Sequence, residues 1–213
     1  MLFKPLFKNF QNPTDYIKID LSKLTLIQAD VDIQNMTDLD EYIQNRLNQV
    51  TTKIAYGGYL EKRELYNNVK RFQTDQNQRN IHLGYDFWTQ VGETIIAPLD
   101  GKIHSFANNA DKGNYGPTII LEHQDDHKHF YSLYGHLSLD SIKTLKIGQH
   151  FKKGEALAQV GNASVNGGYL PHLHFQLIKY IEKYTGDYPG VCHENDLEFY
   201  TKNTIHPELI LGI

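Results

Sequence analysis

Hydrophobic and polar positions change rhythm near residue 81 of this chain. Before it, apolar residues are spaced as in helices. Thr37-Asp38-Leu39-Asp40-Glu41 has the acidic first turn of a helix that could run to about Val50. Beyond Gly57-Gly58, residues 59–72 mix charge with Leu60, Leu65, Tyr66, Val69 and Phe72, the spacing of a second helix with one apolar face. That face predicts a brace packed on the rest of the protein, and residues 75–80 read as a polar connector. After residue 81 the pattern becomes short β-branched and aromatic runs separated by Gly, Asn and Asp, as in an antiparallel β domain. The turn Asn114-Tyr115-Gly116-Pro117 predicts an alternating strand over residues 118–122, and the apolar run 130–134 predicts its hairpin partner. Residues 209–213, Leu-Ile-Leu-Gly-Ile, predict an end that packs back on the domain. The expected architecture is mostly β, an antiparallel sheet or sandwich. It divides into an amino-terminal helical appendage (1–80), a β domain (81–180) and a packed tail (181–213).

Composition narrows the function. At 213 residues the chain is ample for a packed core. A formal net charge of −4 without a basic stripe gives no electrostatic case for nucleic acid or an anionic membrane. No stretch approaches the ~20 apolar residues of a membrane helix. Residues 1–10 hold lysines but neither a secretory apolar run nor a small-residue cleavage site, which predicts a cytoplasmic protein. The single cysteine, Cys192, excludes an internal disulfide and predicts a packing role. Most of the fourteen Tyr and ten Phe are expected in strands and core, but Tyr134 and Tyr169 stand two and three residues before His136 and His172 and could line a groove.

Three groups of residues carry the chemistry: His82 with Asp86, then His136 in Tyr134-Gly135-His136-Leu137-Ser138, then His172 and His174 in Pro171-His172-Leu173-His174-Phe175. A catalytic zinc takes three protein ligands and keeps a fourth position for water. His82, Asp86 and one histidine of the third group would supply that set. Residues two apart on a strand face the same side, roughly 6.6 Å apart, so His172 and His174 look into one space; spacing alone does not say which binds metal. Four residues of straight strand would separate His82 from Asp86 by roughly 13 Å, too far for one ion. A kinked strand is therefore expected, with Gly84 supplying the unusual backbone angles. Of the eleven histidines, His123, His127 and His129 fall in a polar stretch that reads as a solvated hairpin turn. His104, His150, His193 and His206 have no useful spacing.

In the order H-x-x-x-D, isolated His, H-x-H, residues 81–178 resemble the lysostaphin/LytM-type zinc metallopeptidases, of duplicated hybrid motif fold. Residues 94–103 look like that family's hairpin, and residues 147–155 like its turn before the last strands. The resemblance implies zinc held by His82, Asp86 and His174, with His136 and His172 as catalytic residues. It also implies hydrolysis of a peptide amide, in peptidoglycan cross-links or muropeptides, by a zinc-activated water. No His-Glu-x-x-His helix is present to supply a glutamate base, so the two histidines take that role. Two features depart from the family pattern: Gln176 stands where many members have Glu, and the loop 162–170 is longer than the common short turn.

A cell-wall substrate sits awkwardly with a cytoplasmic chain, so release by lysis, another export route or a soluble substrate are the compatible arrangements. Two other classes remain: a non-enzymatic activator of a cell-wall hydrolase, which would lack metal ligands, and a histidine phosphocarrier of related fold, which would give Asp86 no role.

Overall fold

The structure, a computed structural model, describes residues 3–32, 35–48, 54–64, 78–124 and 128–213. The amino-terminal part contains β1 (Tyr16–Lys18), α1 (Lys23–Gln28), α2 (Met36–Asn48) and β2 (Ile54–Gly57). Next come β3 (Ile81–His82), β4 (Tyr85–Trp88), β5 (Thr94–Ile96), β6 (Gly101–Asn109), β7 (Gly116–Gln124) and β8 (His129–Gly135). The remainder comprises β9 (His150–Phe151), β10 (Ala156–Gln159), β11 (His172–Ile178), β12 (Val191–Cys192), α3 (Leu197–Asn203), β13 (Thr204–Ile205) and α4 (Glu208–Leu211).

Among the described residues the main sheet runs β1-β2-β4-β11-β8-β7-β6-β9, with β13 pairing the far end of β11. All its pairs are antiparallel except β1 with β2. The mostly β, antiparallel expectation therefore holds. One face carries Tyr85, Phe87, Leu173, Phe175, Ile119, Leu121 and Tyr134, covered by Ile95, Leu157 and Ala158 of the separate β5–β10 pair. The opposite face has two apolar clusters. One holds Leu21, Leu26, Leu39, Ile43 and Trp88; the other holds Tyr115, Ile120, Leu133, Ile178 and Tyr188.

Burial on both faces explains why residues 118–121 are continuously buried rather than alternating, since a strand covered on both sides needs apolar residues at every position. It also makes the polar set His172, His174 and Gln176, at alternate positions of β11, an interruption that packing alone would not select.

Several local expectations change. Residues 94–103 do not form a hairpin, because β5 pairs β10 while β6 pairs β7 and β9. His123 is not solvated: it is buried, bonded through Nδ1 to the Asp100 carbonyl (2.8 Å) and through Nε2 to Ser132 Oγ (2.6 Å) on the neighbouring strand. Burial pushes its pKa down. His129 is exposed and meets Glu122 at 2.9 Å, as a hairpin edge should, while His127 lies outside the described residues. Tyr134 belongs to the core and not to a groove.

The amino-terminal part is not only helical, because β2 extends the main sheet by pairing with β4. Helix α2 begins where Asn35 Oδ1 accepts from the Thr37 amide (3.0 Å), and it buries Leu39 and Ile43, one turn apart, on the sheet. The predicted end at Val50 and most of the second helix, including Leu65, Val69 and Phe72, lie outside the described residues. Residues 59–63 form a turn and a bridge from Lys62 to Ile81. At the other end Leu211 is fully buried and Ile210 and Ile213 pack on the core, as the apolar tail predicts.

Candidate metal centre

The chain from His82 to Asp86 bends as its spacing requires. Strand β3 ends at His82, Leu83 and Gly84 break the run, and β4 restarts at Tyr85 with a different partner. The reason for Gly84 differs from the expectation, because its φ is not positive. What it provides is room. A Cβ there would lie 2.6 Å from the Phe175 carbonyl oxygen and 2.9 Å from His174 Cε1 and Nε2. Gly84→Ala is therefore expected to cost about 1–3 kcal/mol of stability through overpacking and to displace His174, read as a lower melting temperature together with weaker metal binding.

Cross-strand register sets the rest. His174 is opposite Asp86 on β4 and opposite Gly135 on β8, and His172 is opposite Trp88. His136 directly follows β8, so all five sequence-selected residues meet on one face and line one cavity. His136 adopts φ +62°, a left-handed conformation uncommon for a non-glycine residue. Three hydrogen bonds hold it there: its amide to the Tyr115 carbonyl (2.8 Å), its carbonyl from the Gly161 amide (2.9 Å), and Nδ1 to the Asn166 carbonyl (2.9 Å). Strain over-determined in this way belongs to sites where orientation matters.

Hydrogen bonds assign the tautomers. His82 Nδ1 faces the Gly58 carbonyl at 3.1 Å, so it carries the proton and Nε2 keeps its lone pair. Gln176 directs its amide nitrogen to the Pro189 carbonyl (3.2 Å), presenting Oε1 to His174 Nε2 at 3.1 Å. His174 is therefore protonated on Nε2 and unprotonated on Nδ1. The two lone-pair atoms, His82 Nε2 and His174 Nδ1, stand 2.9 Å apart. Asp86 Oδ1 lies 3.3 Å from the first and 3.0 Å from the second.

Three acceptors thus converge with no proton between them, an arrangement that calls for a cation. Three ligand atoms about 2.0–2.1 Å from a tetrahedral zinc would be spaced by about 3.3 Å, close to what is observed. Among the described residues these three form the group of His, Cys, Asp or Glu able to hold a metal ion. Desolvation lowers the His82 pKa to about 4, which keeps it available as a neutral ligand. Asp86 stays well below the usual carboxylate range although burial opposes this, because His82, Arg63 and His172 surround it.

The other two histidines have the same polarity. His172 Nδ1 donates to the Leu170 carbonyl (2.6 Å) and His136 Nδ1 to that of Asn166, leaving both Nε2 atoms as bases. Their rings lie 4.2 Å apart between centroids, and His172 stacks on Trp88. Burial lowers both pKa values, helped at His136 by His172 and His174. Tyr169 lines the cavity as its position predicts. Arg63, Tyr115 and Asn166 escape the sequence reading, since none stands near the histidine motifs in the chain; the Asn166-Gly167-Gly168 turn is their one local signal.

Residues 80–186, just over half of the chain, match the family model described as peptidase family M23. The chain belongs to peptidase family M23. One relative, an uncharacterized metalloprotease of Haemophilus influenzae, is 37% identical over 95 residues, covering 45% of this chain and 18% of that protein. Another, the murein hydrolase activator NlpD of Escherichia coli, is 32% identical over 94 residues, 44% of this chain and 22% of that protein. This M23 chain therefore spans less than a quarter of the length of those relatives. Among solved structures it is similar to the lysostaphin catalytic domain of Staphylococcus simulans, with a TM-score of 0.40 and 24% identity over 57% of this chain and 80% of that one. The prophage-encoded EnpA domain of Enterococcus faecalis gives 0.43 and 18% over 64% and 83%.

Proposed function

We propose that this M23 chain is a zinc-dependent endopeptidase that hydrolyses a peptide amide, in peptidoglycan cross-links or in soluble muropeptides. The observation that carries this reading is the convergence of three proton-free ligand atoms beside two further histidines that each offer a basic Nε2. His82 Nε2, Asp86 Oδ1 and His174 Nδ1 would hold the metal. When bound, zinc acidifies water and polarises the scissile carbonyl.

His136 and His172 move the protons. The Nε2 of one accepts a proton as the water oxygen bonds to the carbonyl carbon, and a proton from Nε2 reaches the amine nitrogen as the C–N bond breaks. Their Nδ1–H bonds to backbone carbonyls keep the rings from turning. Burial disfavours the imidazolium, so a captured proton is given up readily to the leaving amine. Trp88, Tyr169 and Leu170 provide apolar walls around these groups, where electrostatic effects are less screened by water.

The activator reading expects eroded ligand positions, and here the three ligand positions, His82, Asp86 and His174, are intact, as are His136 and His172. The test is a digest of defined muropeptides followed by mass spectrometry. Cleavage at a cross-link amide, abolished by chelation and restored by added zinc, is expected; intact muropeptides with zinc-loaded protein would sink the proposal.

A further inference from the structure

Asp86 presents only Oδ1 to the two ligand histidines. Its other oxygen, Oδ2, accepts from Arg63 Nη1 at 2.5 Å, and Arg63 Nε donates to Glu61 Oε1 at 2.5 Å. Glu61 Oε2 in turn accepts from the Leu21 amide at 3.1 Å, so an unbroken polar chain runs from the start of the α1 region to the centre. Arg63 is 2% exposed and lies 5.7 Å above the Trp88 ring.

The segment carrying these groups is clamped along β3. The Leu60 amide bonds the His82 carbonyl (2.8 Å), the His82 amide bonds the Glu61 carbonyl (2.9 Å), and the Arg63 amide bonds the Asn80 carbonyl (2.8 Å). Gly58, whose carbonyl fixes the His82 tautomer, has φ +109° and no room for a side chain, since a Cβ would come within 2.1 Å of Arg63 and 2.7 Å of His82 Nδ1. Two of the three proposed ligands are thus oriented from outside the family-matched region 80–186.

From this geometry we infer that Arg63 is a positioning residue of the metal centre: it holds the Asp86 carboxylate with Oδ1 turned to the ion, and Glu61 holds Arg63. The inference rests on the proposed ligand set His82, Asp86 and His174. A buried carboxylate that offers one oxygen to an ion needs its second oxygen engaged, or the group rotates. Arginine suits the task because its rigid planar fork bridges two carboxylates at once, which a lysine point charge cannot do. A merely structural ion pair would support the fold without reference to Asp86.

The test measures zinc affinity of the full chain by competition with a fluorescent chelator, together with the visible spectrum of the cobalt-substituted protein. Arg63→Met is expected to weaken zinc binding about 10- to 100-fold and to shift the cobalt bands, with Arg63→Lys falling between it and the parent. On an Asp86→Ala background the same substitution should change affinity by less than about threefold, because its target is gone. Equal losses on both backgrounds, or parent-like affinity in Arg63→Met, would overturn the inference. Should Arg63→Met fail to fold, Arg63→Lys decides: undiminished affinity with an unchanged cobalt spectrum overturns it. Asp86→Ala and His174→Ala are the controls for the underlying reading. If they also keep parent-like affinity, the ligand set is wrong; if they lose zinc while the Arg63 variants do not, only the role of Arg63 fails.

Discussion

Substituting His174 with alanine is expected to leave the purified protein essentially free of zinc. His174 supplies one of three convergent atoms, and the other two, His82 Nε2 and Asp86 Oδ1, would remain 3.3 Å apart. Two ligands do not define a closed tetrahedral site. The loss should exceed the roughly 10- to 100-fold that follows from removing an outer partner of a ligand. Elemental analysis of the variant beside the parent protein measures it. The fold should survive, because β11 keeps its pairing with β4 and β8 and its apolar side still fills the core with Leu173, Phe175 and Leu177. Full zinc occupancy in His174→Ala would mean that the metal lies elsewhere.

The second large effect separates chemistry from metal binding. His136→Ala and His172→Ala should hold zinc and remain folded yet lose about 100-fold or more of turnover, the scale of a lost general acid or base. His136 needs an additional variant, since alanine tolerates a φ of +62° poorly. His136→Asn accepts that backbone conformation more easily and still lacks the imidazole. Equal turnover losses in both His136 variants, at unchanged zinc content, would assign the defect to the ring and not to strain. Near-normal hydrolysis by any of the three would remove that histidine from the mechanism.

That the five candidate residues meet at one cavity is legible in the sequence because strand and bend geometry is local. A two-residue period places His172 and His174 on one face wherever the strand goes, and a four-residue offset between two candidate ligands demands a bend. The mostly β class followed from similar local signals. What escaped depends on contacts distant in sequence. Arg63 meets Asp86 across 23 residues and His136 meets Asn166 across 30, with no periodicity to announce either. His123 departs from its sequence expectation because the alignment of β7 and β8 turns a polar neighbourhood in sequence into a buried pair with Ser132. Gly84 sits at the expected bend but for a different physical reason: the tightest demands there come from the Phe175 carbonyl and the His174 ring, both far away in the chain.

The site is written across the sheet rather than along the chain. Asp86, His174 and Gly135 occupy one row over three adjacent strands, and His136 hangs from the end of that row. A single-residue insertion in β11 just after His174 would turn both histidines to the face opposite the one they share with Gln176, because side chains alternate with every residue. Insertions between strands, such as extra length in 162–170, leave the row in register as long as the Asn166 carbonyl still reaches His136. Length variation among homologous sequences should therefore gather in the connecting loops, giving evolution a way to reshape what enters the cavity while the five candidate residues stay fixed.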